Sequence, residues 1–191
     1  MNNMILQGDA LTKLKELPNE SIDCVMTSPP YWALRDYGIE GQLGLEPTFE
    51  EYINNLCDIF DEVKRVLKKS GTCWVNLGDT YASTPSGLTN QKAEEWNKKG
   101  DGLFNRLHRR NTNDMTSKTT WKPTKYEGIR EKCLVMIPFR FVIEMCNRGW
   151  ILRNNIIWHK RNCMPSSVKD RFTVDFEYLF FFVKNKKYYF E

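Results

Sequence analysis

The sequence has only two histidines, and its six cysteines, at positions 24, 57, 73, 133, 146 and 163, form no Cys-x-x-Cys pair. Zinc sites need closely spaced Cys and His ligands, so none is expected here. No apolar run approaches the ~20 residues that a membrane-spanning helix requires. The first residues, MNNMILQGD, lack a basic stretch followed by an apolar one, so no secretory signal is expected. Several cysteines sit inside apolar runs, which suits reduced core thiols and a cytoplasmic location. No internal repeat is visible.

What is present fits one globular domain over residues 1–191. Hydrophobic residues make up 41% of the chain, enough for a core, and aromatics 13%. The net charge of +4 is unevenly spread. From Ala82 to Arg130 there are 10 Lys/Arg against 5 Asp/Glu, leaving 18 against 19 elsewhere. The positive excess therefore lies in one polar segment, a hint of a polyanionic partner.

Met4–Gln7 reads as a first short strand, and leucines at 11, 14 and 17 suit a short helix over Ala10–Leu17. Ile22–Thr27 (IDCVMT) reads as a buried strand, giving a β-α-β start. Thr48–Lys69 is the strongest helix, with Thr48 as N-cap and Glu51 three residues on. Ser70-Gly71 is expected to close it before a strand at Thr72–Leu77. Residues 82–130 show no period and read as an inserted loop. A helix is expected over Leu134–Asn147, with strands at Trp150–Trp158 and Phe176–Val183. A turn at Asn185-Lys186 then leads into Tyr188–Phe190 as the partner of an antiparallel hairpin. The expected fold class is α/β, a mostly parallel sheet with flanking helices and that hairpin at one edge.

The chemistry concentrates in Thr27-Ser28-Pro29-Pro30-Tyr31-Trp32. Two prolines fix φ near −65° twice in succession and remove two amide donors. The run ends the strand and holds bare carbonyl acceptors rigidly. An exocyclic amine has two N–H donors and a lone pair delocalised into its ring. Acceptors aimed at those N–H groups favour a tetrahedral nitrogen and stabilise positive charge building on it. Tyr31 can stack on a base drawn out of a duplex. Against this stands a plain alternative, a proline turn with aromatics packed on the core.

Ser-Pro-Pro-Tyr-Trp resembles motif IV of the amino-methyltransferases that modify N6 of adenine or N4 of cytosine. Adenine enzymes typically carry Asp or Asn at its first position, and Ser is typical of the cytosine enzymes. The preceding GDALTKLKELPNESIDCVMT resembles the segment leading into motif IV in the family's β class. LEPTFEEYINNLCDIFDEVKRVLKKSGTCWVNLGDTY and the stretch from Met136 to Asn185 resemble the motifs that follow it. The resemblance implies a partial Rossmann-like methyltransferase domain that uses S-adenosylmethionine and acts on double-stranded DNA. It implies that Ser28, Pro29, Pro30 and Tyr31 hold the target amine and that Trp32 shields it. It places Asp9, Ala10 and Thr27 against the cofactor, and Ser166, Ser167 and Arg171 at the base pocket or its phosphates. The lesser alternative for Asp9 is a cap on the helix at Ala10, whereas Asp79, at a strand end that would face the same crevice in a parallel sheet, reads first as a turn residue.

The family's Phe-x-Gly-x-Gly cofactor signature is absent from the 191 residues. A truncated chain, or a second polypeptide supplying that half, would account for it. Arg106, Arg109 and Arg110 in the inserted segment are candidate phosphate contacts. The competing expectations are adenine-N6 methylation, a non-catalytic DNA-binding subunit or remnant, and methylation of RNA or of a glutamine amide.

Overall fold

The structure is a computed structural model that describes residues 3–82 and 128–191. Arg106, Arg109 and Arg110, and nearly all of the expected inserted loop, lie outside the described residues.

The central helix follows from its sequence. Apolar residues recur at three- and four-residue spacing along Phe49–Val66 (α2), burying Tyr52, Ile53, Leu56, Cys57, Phe60 and Val63 on one face. Thr48 caps it through an Oγ1 acceptor for the Glu51 amide at 3.2 Å. The other helices among the described residues are Ala10–Lys15 (α1) and Ile137–Asn147 (α3). The strands among the described residues are Ile22–Thr27 (β1), Leu67–Leu77 (β2), Ile151–His159 (β3) and Phe176–Val183 (β4).

The four strands form one sheet in the order β1-β2-β4-β3. β1 and β2 are parallel, with Thr27 opposite Val75. β4 runs antiparallel to both neighbours, with Tyr178 opposite Leu77 on β2 and Ile157 on β3. Alternation along β2 buries Cys73, Val75 and Leu77 with Phe180 and Phe182 against α2 and α3. On the other face Trp74 stacks on Phe181 at 4.1 Å between centroids, and Phe190 covers Phe181 at 5.8 Å. This register brings the ends of β1 and β2, the end of β3 and the start of β4 to one edge of the sheet.

The α/β expectation stands, with a different balance: one pairing is parallel and two are antiparallel. The antiparallel hairpin is β3 with β4. Tyr188–Phe190 forms no strand; the Tyr188 and Phe190 rings pack over Phe181 instead, and the Tyr189 amide reaches the Ser70 carbonyl at 3.0 Å. Met4–Gln7 is not a strand either: Met4 and Ile5 are 72% and 94% exposed, without the partner strand an apolar run needs. β2 starts five residues earlier than Ser70-Gly71 suggested, at Leu67. Pairing of Leu67 with Ile22 and a Lys68–Asp23 ion pair at 2.7 Å draw the polar stretch into the sheet. α3 begins at Ile137 rather than Leu134, because Leu134 bridges to Tyr81 and Met136 turns left-handed at φ 65°.

Candidate active site

Residues 28–31 leave the end of β1 at the surface. Ser28 is exposed, and Pro29, Pro30 and Tyr31 are half-buried. Loss of two amide donors stops the ladder, and the loop is then braced from beneath. The Tyr52 hydroxyl, on α2, donates to the Pro30 carbonyl at 2.8 Å. The Ala33 amide donates to the Gly44 carbonyl at 2.8 Å. Gly44 has φ +95°, and a Cβ there would sit 2.9 Å from the Tyr31 carbonyl oxygen, so the chain passes too closely for a side chain. The buried Glu46 carboxylate accepts from the Gly44 amide at 2.8 Å and from Asn55 Nδ2 at 3.2 Å.

Trp32 corrects the sequence reading. Expected as a shield at the substrate face, it is 2% exposed, stands edge-on to Phe49 at 6.1 Å, and donates from Nε1 to the Glu46 carbonyl at 3.0 Å. It anchors the loop in the core, because its indole finds both an apolar bed and an acceptor there.

Asn76, which the motif gave no reason to single out, joins the site's two hydroxyls. Its Oδ1 accepts from Tyr31 Oη at 2.9 Å and from Ser28 Oγ at 3.2 Å, and its Nδ2 donates to the Tyr178 carbonyl at 3.1 Å. The signal was a single amide in the apolar run TCWVNL. The Tyr31 ring lies against Gly78, where a Cβ would fall 2.5 Å from it. Burial raises the Tyr31 pKa, the Ser28 hydroxyl opposes that rise, and the neighbouring Glu177 carboxylate adds to it. Lys160 pairs with Glu177 and also faces the phenol.

Asp79 follows at the end of β2. Its Oδ1 accepts from the Thr80 amide at 2.8 Å and the Ile137 amide at 3.0 Å, so it caps α3 from a distance. Its Oδ2 is buried without a hydrogen-bond partner among the described residues, and burial raises its pKa. Asp9 is exposed and caps α1, accepting at Oδ1 from the Thr12 hydroxyl at 2.7 Å and the Thr12 amide at 2.9 Å. Those bonds, the hydroxyl first, hold its carboxyl below the usual range. Ala10 begins the same helix, and Thr27 ends β1 half-buried.

The 160–175 loop carries the other candidates. Ser166 Oγ accepts from the Val168 amide at 3.4 Å, and Ser167 is exposed. The Arg171 guanidinium lies 4.0 Å from the Tyr81 ring centroid, and Asp170 pairs with Lys132 at 2.6 Å. These contacts pin the loop to the segments on either side of the undescribed residues. Among the described residues no hydrogen bond or ion pair joins the loop to Ser28. No group of metal-ligating side chains occurs among them either.

The chain is 43% identical to the type II methyltransferase M.SmaI of Serratia marcescens over 98% of its own length and 58% of that protein's. It is 41% identical to M.Cfr9I of Citrobacter freundii, over 98% and 56%. The chain thus spans between half and three-fifths of these relatives. Among solved structures, the PvuII DNA methyltransferase (cytosine-N4-specific) superposes with a TM-score of 0.59 at 22% identity, over 95% of this chain and 49% of that one. TTHA0409 of Thermus thermophilus, complexed with S-adenosyl-L-methionine, gives a TM-score of 0.56 at 20% identity, over 96% and 54%. Residues 22–191 match the family model described as DNA methylase (N6_N4_Mtase), and the chain belongs to that family.

Proposed function

We propose that this chain carries the amine-binding half of a DNA methyltransferase that modifies N4 of cytosine. The observation behind this reading is the surface-held Ser28-Pro29-Pro30-Tyr31 turn, braced by Tyr52 and Asn76 at the end of β1. Ser28 Oγ and the Pro29 carbonyl accept from the amine's N–H groups, while Pro30 fixes the bend and Tyr31 stacks on the extruded base. Ser28 at the first position of the motif supports cytosine over adenine. The substrate is double-stranded DNA, and no second polypeptide is invoked.

The cofactor is S-adenosylmethionine. Asp9 fits its amino-bearing end, since an exposed carboxylate kept anionic can accept from an exocyclic amine. Ala10 and Thr27 flank that position in the proposal. Bound there, the cofactor would supply an electrophilic methyl carbon whose bonding pair would leave with sulfur, the amine nitrogen held by the Ser28 and Pro29 acceptors giving up a proton to water. Arg106, Arg109, Arg110, Ser166, Ser167 and Arg171 are proposed contacts to the duplex, and Lys or Arg contacts to phosphate would weaken with salt.

The test uses methyl-labelled S-adenosylmethionine and duplex DNA. The chain is assayed alone and inside M.SmaI, in place of the stretch it matches. Label in N4-methylcytosine in either preparation is expected, and Ser28→Ala or Tyr31→Ala should abolish it while leaving the circular dichroism spectrum unchanged. Label only in N6-methyladenine overturns the choice of cytosine. No labelled base in either preparation overturns the whole reading.

A further inference from the structure

We propose that Asn76 is a positioning residue that sets which way the two site hydroxyls point, and that it does so because it is a neutral amide. This rests on the amine-binding reading above. The Tyr178 carbonyl can only accept, so the Asn76 atom facing it at 3.1 Å must be the amide nitrogen. The amide oxygen is thereby turned toward Ser28 Oγ at 3.2 Å and Tyr31 Oη at 2.9 Å. That oxygen carries two lone pairs and no hydrogen, so both hydroxyls must donate to it. Each hydroxyl has one hydrogen; Asn76 Oδ1 is the acceptor the two share, with the Glu177 carboxylate a second acceptor facing the phenol. The hydroxyl lone pairs are left for groups that approach from outside, and these must be donors. An exocyclic amine, with two N–H bonds, meets that requirement; a ring carbonyl at the same position does not.

The placement is rigid. Asn76 lies on β2, paired on one side with Leu179 of β4, while Val75 beside it pairs with Thr27 of β1. Ser28 directly follows Thr27, so the two strands hold the serine and the amide side by side. A hydroxyl that donates to one acceptor becomes a better acceptor itself. Asn76 thus tunes both oxygens without touching the substrate. Being neutral, it adds no titrating group. The charged groups that face Tyr31 are Glu177 and Lys160 on the β4 and β3 side, and the Tyr52 phenol faces it from α2.

Asn76→Asp keeps the acceptor for the two hydroxyls but puts a second oxygen in place of the donor to the Tyr178 carbonyl, and Asn76→Leu keeps neither. In the chain itself, ultraviolet titration of the Tyr31 phenolate, isolated by difference against Tyr31→Phe, should give apparent pKa values in the order Asp, Asn, Leu from high to low. An acceptor stabilises the protonated phenol, and an anionic acceptor does so more. In the methylation assay, Leu should lower turnover by about tenfold or more with little change in KM for the cofactor. Asp should retain most turnover but add an acidic limb to the pH profile that the parent lacks. A Tyr31 titration unchanged in both variants overturns the proposal, as does equal loss of turnover in Asp and Leu. The phenol titration needs no methyl transfer. A parent without methylated product would therefore sink the functional reading while the titration still decides the role of Asn76.

Discussion

The Tyr31 ring is held at its hydroxyl by Asn76 and along its edge by Gly78, which leaves room for no Cβ. A methyl group at residue 78 would sit 2.5 Å from the ring, far inside contact distance, and the residue directly follows Leu77, which is paired with Tyr178 of β4. The ring would have to swing away and forfeit its bond to Asn76. Gly78→Ala should therefore cost about 1–3 kcal/mol of stability from overpacking. It should also shift the Tyr31 phenolate titration toward that of a free tyrosine, both measurable by denaturant melts and ultraviolet titration. Asp79, one residue on, offers a pH signature. Burial raises its folded pKa above the unfolded value, so the native state binds the proton more tightly. The charge is thus a cost at neutral pH that fades as pH falls through the raised pKa. Asp79→Asn keeps an acceptor for the Thr80 and Ile137 amides and should be neutral or stabilising at pH 7, with the advantage vanishing below about pH 4. Asp79→Ala loses the distant cap of α3 and should cost about 1 kcal/mol at pH 7.

At the scale of elements, α2 does two jobs. Its apolar face makes the core, and Tyr52, 0% exposed, reaches from that face to the Pro30 carbonyl. Burial, with Glu46 nearby, raises the Tyr52 pKa, so the phenol is a donor at every physiological pH. Tyr52→Phe keeps the packing and removes the one bond, for about 1 kcal/mol and a fall in Tm of about 2–4 °C. The larger effect should be on turnover, since the diproline turn loses its brace. At the far end Arg148 ties α3 to α2, bonding Asp58 at 2.6 Å, Asp61 at 2.7 Å and Glu144 at 2.9 Å. Helices of this kind were legible from sequence. Thr48 and the spacing of Tyr52, Leu56, Phe60 and Val63 announce α2, and the β-prone run at Phe176–Val183 announces β4 with its bounds. The start of β2 was not legible, because Lys68-Lys69-Ser70-Gly71 has a turn's composition and only its pairing with β1 makes it extended. The motif was plain, yet the side on which Trp32 falls depends on Glu46 and Phe49, and local pattern does not carry that. Asn76 was visible only as a polar residue out of place.

The described residues form one sheet with its main core on one face, and the six free cysteines sample that architecture. Cys24, Cys133 and Cys146 are exposed and Cys163 is half-buried. Cys57 on α2 and Cys73 on β2 are 0% exposed and face each other's layer of the same core. Burial pushes the Cys57 thiol up to about 12 and raises Cys73 further still. Thiolate, not thiol, attacks a disulfide reagent, so these two are protected by chemistry as well as by access. If helix and sheet form one cooperative unit, both should become reactive only when that unit opens. With the other four cysteines changed to serine, native protein should react with an aromatic disulfide over hours, releasing two equivalents of thiolate in a single phase. That phase should match the unfolding rate extrapolated from denaturant. Separate phases, with Cys57 ahead of Cys73, would mean that α2 lifts from the sheet before the strands part. The brace that Tyr52 gives the diproline turn would then be lost in the native ensemble well before the fold is.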